Sequence, residues 1–333
     1  MKTNERIFHS VLAQELEAFI AYKRALVRRY DNEEKTLRLF DRYLLEQGVT
    51  HISAITAETV NTFLASRPRT RPRSYNHLLG VLRRFFDWLV LQEKCPCSPV
   101  QALPRRATSQ CTPFLFSQAH ARRLLEAAAQ LPDKGGAAHR GEVYSTIFAL
   151  LYTLGLRVGE VARLRRADVD LDRRLLVIRY TKFSKSRLVP FGPRMAQRLS
   201  EYLEHCHAQE TPDSDSPVFS FTRGKCIRPE TISQVFHQLV IKLGFEVPAG
   251  VTSPCAHCLR HSFAVSTLLR WYRAGLDPGQ RLFSLATFLG HANPVSTSVY
   301  LTITADLLRE AGNRFERLAS PTFKEGCTWS PKP

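Results

Sequence analysis

Apolar residues recur at helical spacing through most of the chain. In residues 8–29, Val11, Leu12, Leu16, Phe19, Ile20 and Leu26 fall near one face, the recurrence expected of an amphipathic helix. The pattern predicts a second helix over about 32–47, with Leu37, Phe40, Leu44 and Leu45 inward, ended by Gly48. Thr56 is placed to cap a third, which carries Val60, Phe63 and Leu64. The strongest period covers about 74–93, with Leu78, Leu82, Phe85, Phe86 and Leu89 on one side. Residues 1–104 therefore read as a bundle of four to five helices.

Between the third and fourth helices lies RPRTRPR (67–73), where Pro68 and Pro72 argue against regular helix. It reads either as a solvated loop or as a set of phosphate contacts. A polar, proline-bracketed stretch, PRRATSQCTP, then separates two periodic regions and marks residues 105–113 as a linker. The second domain, 114–320, opens with helices at about 117–131, 142–154 and 158–164, the middle one buried and stopped by Gly155. The period then changes. LLVIRYT (175–181) and RLVPF (187–191) are β-rich runs joined by KFSKS, which predicts a hairpin. Helices return at about 193–207, 229–243, 260–274 and 281–289, and residues 321–333 read as a disordered tail. The fold class is mainly α with a small β-hairpin or sheet (α+β), in two domains.

Charge narrows the choice of partner. The chain carries a formal net charge of +17, spread over both domains, so both face a polyanion. The start, MKTNERIF, is polar, and the longest apolar stretch is interrupted by Ser145, Thr146 and Thr153. Neither an export signal nor a membrane span is expected, which points to a cytoplasmic protein whose eight cysteines are thiols. No G-x-x-x-x-G-K-[ST] motif occurs, so no nucleotide-driven motor is expected. DVDLD (168–172) mimics a calcium loop but has Arg173 and Arg179 where the loop needs Gly and Glu; it reads as an acidic turn.

CAHCLRH (255–261) poses the sharpest question. Cys255, Cys258, His257 and His261 are all plausible zinc ligands, and C-x-x-C is a common half-site. Arg260 suits a phosphate better than a cation. A second half-site would have to come from Cys95 and Cys97, or from His205, Cys206 and His207.

Two further clusters carry chemistry: LGLRVGE (154–160) and LGHANPVSTSVY (289–300). Arg157, the hairpin Lys182, the H-x-x-R of His257 and Arg260, the Gly290–His291 pair and Tyr300 together resemble the tyrosine recombinase (phage-type integrase) family. The resemblance spans essentially the whole chain. It implies a helical core-binding domain followed by a catalytic domain, with Arg157, Lys182, His257, Arg260, His291 and Tyr300 as the catalytic residues. It implies site-specific recombination of double-stranded DNA through a 3′-phosphotyrosyl link, without cofactor or metal. The working unit is then a homotetramer on two DNA sites, with the helix after Tyr300 (about 304–317) docking onto a neighbour. With the first helix so near the start, a Xer-like or transposon-borne enzyme without an arm-binding domain is expected. On this reading His257 and Arg260 belong to the phosphate pocket, His261 packs at the helix start or supports the residues that touch the phosphate, and Cys255 and Cys258 are small buried or half-buried side chains. The alternatives are a catalytically silent DNA-binding protein of the same fold, a zinc-stabilised regulator, or a type IB topoisomerase-like enzyme.

The residue types fit that chemistry. A phosphodiester under attack gathers negative charge on its non-bridging oxygens, and two guanidiniums can grip them with paired hydrogen bonds. A tyrosine, with a phenol pKa near 10, attacks only once its proton is taken, but phenolate leaves readily, so the link is reversible. The departing 5′-oxygen needs a proton, which Lys182 can deliver, with Lys185 then touching a flanking phosphate. A histidine can exchange protons near neutrality or donate to the phosphate. Glu160, one turn from Arg157, is placed to brace it.

Overall fold

A computed structural model describes residues 8–26, 28, 30–106, 112–179, 186–206, 215–222, 224–291, 293, 295–302 and 305–324. The chain divides into two compact units, Met1–Gln110 and Cys111–Pro333.

The first unit packs α1 (Ala13–Ala25), α2 (Asp31–Glu46), α3 (Ala57–Ser66) and α4 (Pro72–Leu91). Their apolar stripes meet in an aromatic core: Phe40 stacks edge-on against Phe63 at 5.0 Å, and Phe19 against Phe85 at 5.3 Å. Thr56 caps α3, its hydroxyl accepting the Thr59 N–H at 3.3 Å. Three details differ from the sequence expectation. The first helix starts at Ala13 rather than residue 8, because the Asp41 carboxylate takes the backbone N–H groups of His9 and Ser10 at 3.0 and 2.9 Å. Leu26 and Leu45, read as inward, are 52% and 47% exposed, and Tyr43 turns inward beside Leu44 instead. Pro72 starts α4 rather than forbidding it, since a first-turn proline has no intrahelical N–H bond to lose.

The second unit is built around α6 (Arg140–Thr153), buried on every side. Flanking it are α5 (Gln118–Ala129), capped by Ser117, then α8 (Pro193–Cys206) and α10 (Ala256–Arg273). A short α7 (Val158–Ala162) leads into an antiparallel sheet, β1 (Val169–Asp170), β2 (Leu175–Ile178) and β3 (Arg187–Pro190), in the order β1-β2-β3. Leu176 pairs with Val189, and both are fully buried. The predicted hairpin is β2–β3. The first strand and the small pair β4 (Ser220–Thr222) and β5 (Lys225–Cys226) went unpredicted, being too short to show alternation.

After α9 (Pro229–Leu243), the helix α10 begins four residues ahead of its predicted start, so CAHC is its cap and first turn. Then come α11 (Pro278–Leu289), the short α12 (Val295–Ser298) and α13 (Ala305–Lys324). Leu268, Leu285, Leu289, Tyr300 and Leu307 form one cluster that joins α10, α11 and α13. The helix after Tyr300, which the resemblance has docking on a neighbour, here packs on α10 of its own chain. It runs to Lys324, so the first four residues of the expected disordered tail are helical; residues 325–333 lie outside the described residues. Among the described residues no helix is long and apolar enough to cross a membrane.

Candidate active site

The site grows from a turn. Helix α6 ends at Thr153, and Gly155, at φ +60, swings the chain so that buried Leu156 anchors it and Arg157 caps α7. A side chain at Gly155 would bring its Cβ within 2.5 Å of the Phe263 ring, so glycine is required twice over. Glu160 closes the cap: its Oε2 accepts the Arg157 backbone N–H at 2.9 Å, and its Oε1 accepts Arg157 Nη1 at 2.7 Å. Arg187, at the start of β3, grips the same carboxylate with two bonds of 2.9 Å and donates its Nε–H to the Phe288 carbonyl. Burial pushes the Glu160 carboxyl up, but the Arg187 and Arg157 guanidiniums outweigh it and hold it down to about 2.

Arg260, on the first turns of α10, is 1% exposed. Its Nη1 and Nη2 donate to the carbonyls of Gly155 and Leu289 at 2.7 and 2.6 Å. Arg157 Nη2 donates to the next carbonyl, that of Gly290, at 2.9 Å. The ends of α6 and α11 thus supply the oxygens that orient both guanidiniums. Gly290 terminates α11 at φ +68, and a Cβ there would stand 2.7 Å from Arg187 Nη1. Two arginines share the Glu160 carboxylate and a third, Arg260, is held by carbonyls alone, so the pocket keeps an excess of positive charge. Burial first, then Arg157, lowers Arg260 to about 9, which still leaves it charged at neutral pH.

Around these cations stand three histidines and the tyrosine. The Tyr300 hydroxyl lies 2.8 Å from His261 Nδ1. The His261 ring meets the His257 ring edge-on at 4.6 Å, and the His291 ring stacks on Tyr300 at 6.4 Å. His291 Nδ1 is 2.6 Å from the Oγ1 of fully buried Thr297. Burial and then the nearby guanidiniums push His291 down to about 4. Desolvation by the surrounding protein first, then the neighbouring His261 ring and the Arg260 and Arg157 guanidiniums, push His257 to about 4 as well, although the residue keeps an exposed edge. His261 is lowered by burial and Arg260. All three imidazoles are therefore neutral at pH 7. Tyr300 is 4% exposed, and burial raises its phenol pKa, which Arg260 and Arg157 pull only part of the way back. Its proton has to be accepted by a neighbour before it can attack.

Five of the six residues singled out in the sequence converge here: Arg157, His257, Arg260, His291 and Tyr300. Lys182, and with it Lys185, lies outside the described residues. Sequence reasoning placed Glu160 beside Arg157, where the structure has it, but left out its second partner, Arg187. His261, expected to pack at the helix start or to support the residues that touch the phosphate, stands against the Tyr300 hydroxyl. The signal was available: His261 follows His257 by four residues, one helical turn on the same face. Thr297 gave no signal. Cys255 is exposed at the cap of α10, Cys258 is buried, and their sulfurs are 3.2 Å apart. Among the described residues, the grouping of three potential metal ligands is His139, Glu142 and Cys206, and it includes neither cysteine of CAHC.

Fold and site together define a class, and comparison with known proteins bears it out. The chain belongs to the phage integrase family, the tyrosine recombinases, whose sequence profile matches residues 116–306. It is 33% identical to y4rB of Sinorhizobium fredii, named as an integrase/recombinase, over 92% of this chain and 98% of that protein. It is 28% identical to the tyrosine recombinase XerC of Oceanobacillus iheyensis over 86% of this chain and 88% of that one. Among solved structures, the Tn1549 transposon integrase in complex with a circular intermediate DNA shares the fold at a TM-score of 0.63. That match is 16% identical and covers 93% of this chain and 99% of the other.

Proposed function

We propose that the chain is a site-specific recombinase in which Tyr300 attacks a DNA phosphodiester and is later displaced by a 5′-hydroxyl. The observation that carries this is the Tyr300 hydroxyl held 2.8 Å from His261 Nδ1 in a pocket with an excess of guanidinium charge. Neutral His261 accepts the phenol proton as the oxygen attacks phosphorus. Arg157 and Arg260, already fixed by carbonyl oxygens, stabilise the charge that develops on the non-bridging oxygens. With Thr297 donating to His291 Nδ1, the Nε2–H of His291 remains as a further donor. His257 lies beside His261, edge-on at 4.6 Å, and by resemblance belongs to the phosphate pocket. Lys182, by resemblance, protonates the leaving 5′-oxygen. The partner is double-stranded DNA bearing a specific site, and the synaptic unit is a homotetramer.

Arg69, Arg73 and His77 of the first unit line a polar pocket of about 380 Å³ with Thr36 and Ser74, which supports reading RPRTRPR as phosphate contacts. Counterion release then makes binding fall steeply with salt.

The test is a nicked suicide substrate. The native chain is expected to become covalently attached to it, in EDTA as well as without, and Tyr300→Phe to bind it but form no adduct. An adduct on Tyr300→Phe, or strict dependence on a divalent metal, overturns the assignment.

A further inference from the structure

The phosphate chemistry does not absorb CAHC. Its two cysteines are unlike each other and are placed to react in sequence. Cys255 is the exposed cap of α10, a helix of 18 residues, and its backbone N–H donates to the Cys258 sulfur at 3.4 Å. Cys258 is 1% exposed and lies 3.2 Å from Cys255, sulfur to sulfur. Closing that gap to a disulfide, about 2.0 Å, takes a shift of roughly 1 Å in two adjacent side chains. Both sulfurs line a pocket of about 330 Å³ whose other wall includes His261, Ser296, Val299 and Tyr300. That volume falls within the range of small-molecule sites, about 300–1,000 Å³.

We propose that Cys255 and Cys258 form a redox-active dithiol whose substrate is a small organic disulfide of the glutathione type, received in the pocket that Tyr300 shares. The Cys255 thiolate attacks one sulfur of the disulfide, forming a mixed disulfide and releasing one thiolate. Cys258 then gives up its proton and attacks the Cys255 sulfur, closing the intramolecular disulfide and releasing the second thiolate. Two protein thiols are oxidised and one small disulfide is reduced to two thiols. The assignment of roles follows exposure: Cys255 alone can meet an incoming molecule, and Cys258 alone can resolve the adduct. The hydrogen bond from Cys258 holds the Cys255 thiol below its ordinary range, outweighing burial, which pushes it up, while Cys258 is raised by its partner and by burial. A glutathionyl group on Cys255, transient in the native chain and lasting where Cys258 cannot displace it, fills the space beside Tyr300. The mixed disulfide therefore blocks the tyrosine until it is resolved, a consequence that rests on the proposed function, whereas the dithiol chemistry does not.

The experiment treats the full chain with oxidised glutathione at neutral pH, quenches with acid and maps each cysteine by peptide mass. The native chain is expected to form the Cys255–Cys258 disulfide, Cys258→Ser to accumulate glutathione on Cys255, and Cys255→Ser to leave Cys258 unmodified. Cys255 is expected to react at least about tenfold faster than exposed Cys97 and Cys226, as a thiolate against thiols. Equal rates at the three sites, or a Cys258→Ala chain with native melting that carries no adduct on Cys255, overturn the proposal. In parallel, adduct formation between Cys258→Ser and the suicide substrate is expected to drop at least about tenfold once Cys255 carries glutathione, return with dithiothreitol, and stay constant throughout in Cys255→Ser. Full cleavage by Cys258→Ser carrying glutathione on Cys255 overturns the block on Tyr300. A reduced chain that never cleaves counts against the proposed function, and the mass map still decides the dithiol.

Discussion

The Tyr300 hydroxyl lies 2.8 Å from Nδ1 of His261, 39 residues earlier in the chain. Two elements bring them together. His261 sits one turn after His257 on α10, and Tyr300 is buried in the cluster that ties α10 to α11 and α13. The Tyr300 hydroxyl and the group best placed to accept its proton are thus held by the same packing.

Replacing His261 by Phe keeps the ring and removes the acceptor. Adduct formation is expected to slow by about 10²–10⁴-fold, the usual contribution of a positioned base, with DNA binding unchanged. In the native chain the imidazole accepts only when neutral, and its pKa lies below the ordinary value. The adduct rate is therefore expected to hold through pH 6.5 and fall under more acidic conditions, a limb that His261→Phe lacks. An unchanged rate removes His261 from the mechanism.

Arg260→Lys exchanges two fixed donors for one ammonium, which cannot satisfy the carbonyls of both Gly155 and Leu289. One carbonyl left unpaired costs about 1–3 kcal/mol of stability. Cleavage is expected to fall by about 10²–10³-fold, as when one oxyanion donor is lost. Urea unfolding and suicide-substrate yield measure the two effects separately.

Glu160→Gln leaves the Arg157 and Arg187 charges facing each other without the carboxylate between them. The expected loss is about 3–5 kcal/mol in urea unfolding at pH 7. Because the folded carboxyl is held at about 2, below its ordinary 4.5, its contribution is present above pH 4.5 and disappears as pH falls toward 2. The difference between native and variant should shrink over that window.

A separate acid limb belongs to His257 and His291. Unfolded imidazoles take up a proton near pH 6.5, whereas the folded ones resist to about 4. Stability is therefore expected to decline as pH falls from 6.5 to 4, and to decline less in a His257→Gln, His291→Gln double variant. Identical slopes in the two chains count against neutral folded imidazoles.

Gly290→Ala is expected to lower the melting temperature and adduct yield together. The left-handed backbone costs an L-residue about 1–2 kcal/mol, and the new Cβ presses on Arg187, which Glu160 and the Phe288 carbonyl hold in place. Gly192→Ala is the control: a Cβ there meets nothing within 4 Å. Equal effects in the two variants disprove the role given to Arg187.

Much of the architecture was legible because helices announce themselves locally. A stripe such as Leu78, Leu82, Phe85 and Phe86 needs only a period of 3.6 to be seen, and Thr56 and Ser117 mark helix starts by the hydrogen bonds their hydroxyls offer. The residues that converge on the pocket were equally marked, since phosphate chemistry favours guanidiniums, imidazoles and a tyrosine hydroxyl. Which groups touch was not readable. Glu160 serves Arg157, three residues away, but also Arg187, 27 residues away, and only the folding of β3 against α7 and α11 makes that second pair. Arg260 is oriented by carbonyls at the ends of two other helices, groups that every residue carries and no sequence pattern marks. Local sequence specified the elements and the chemistry. The tertiary structure decided the partners, because a hydrogen bond depends on distance and direction, and these exist only once distant segments have packed.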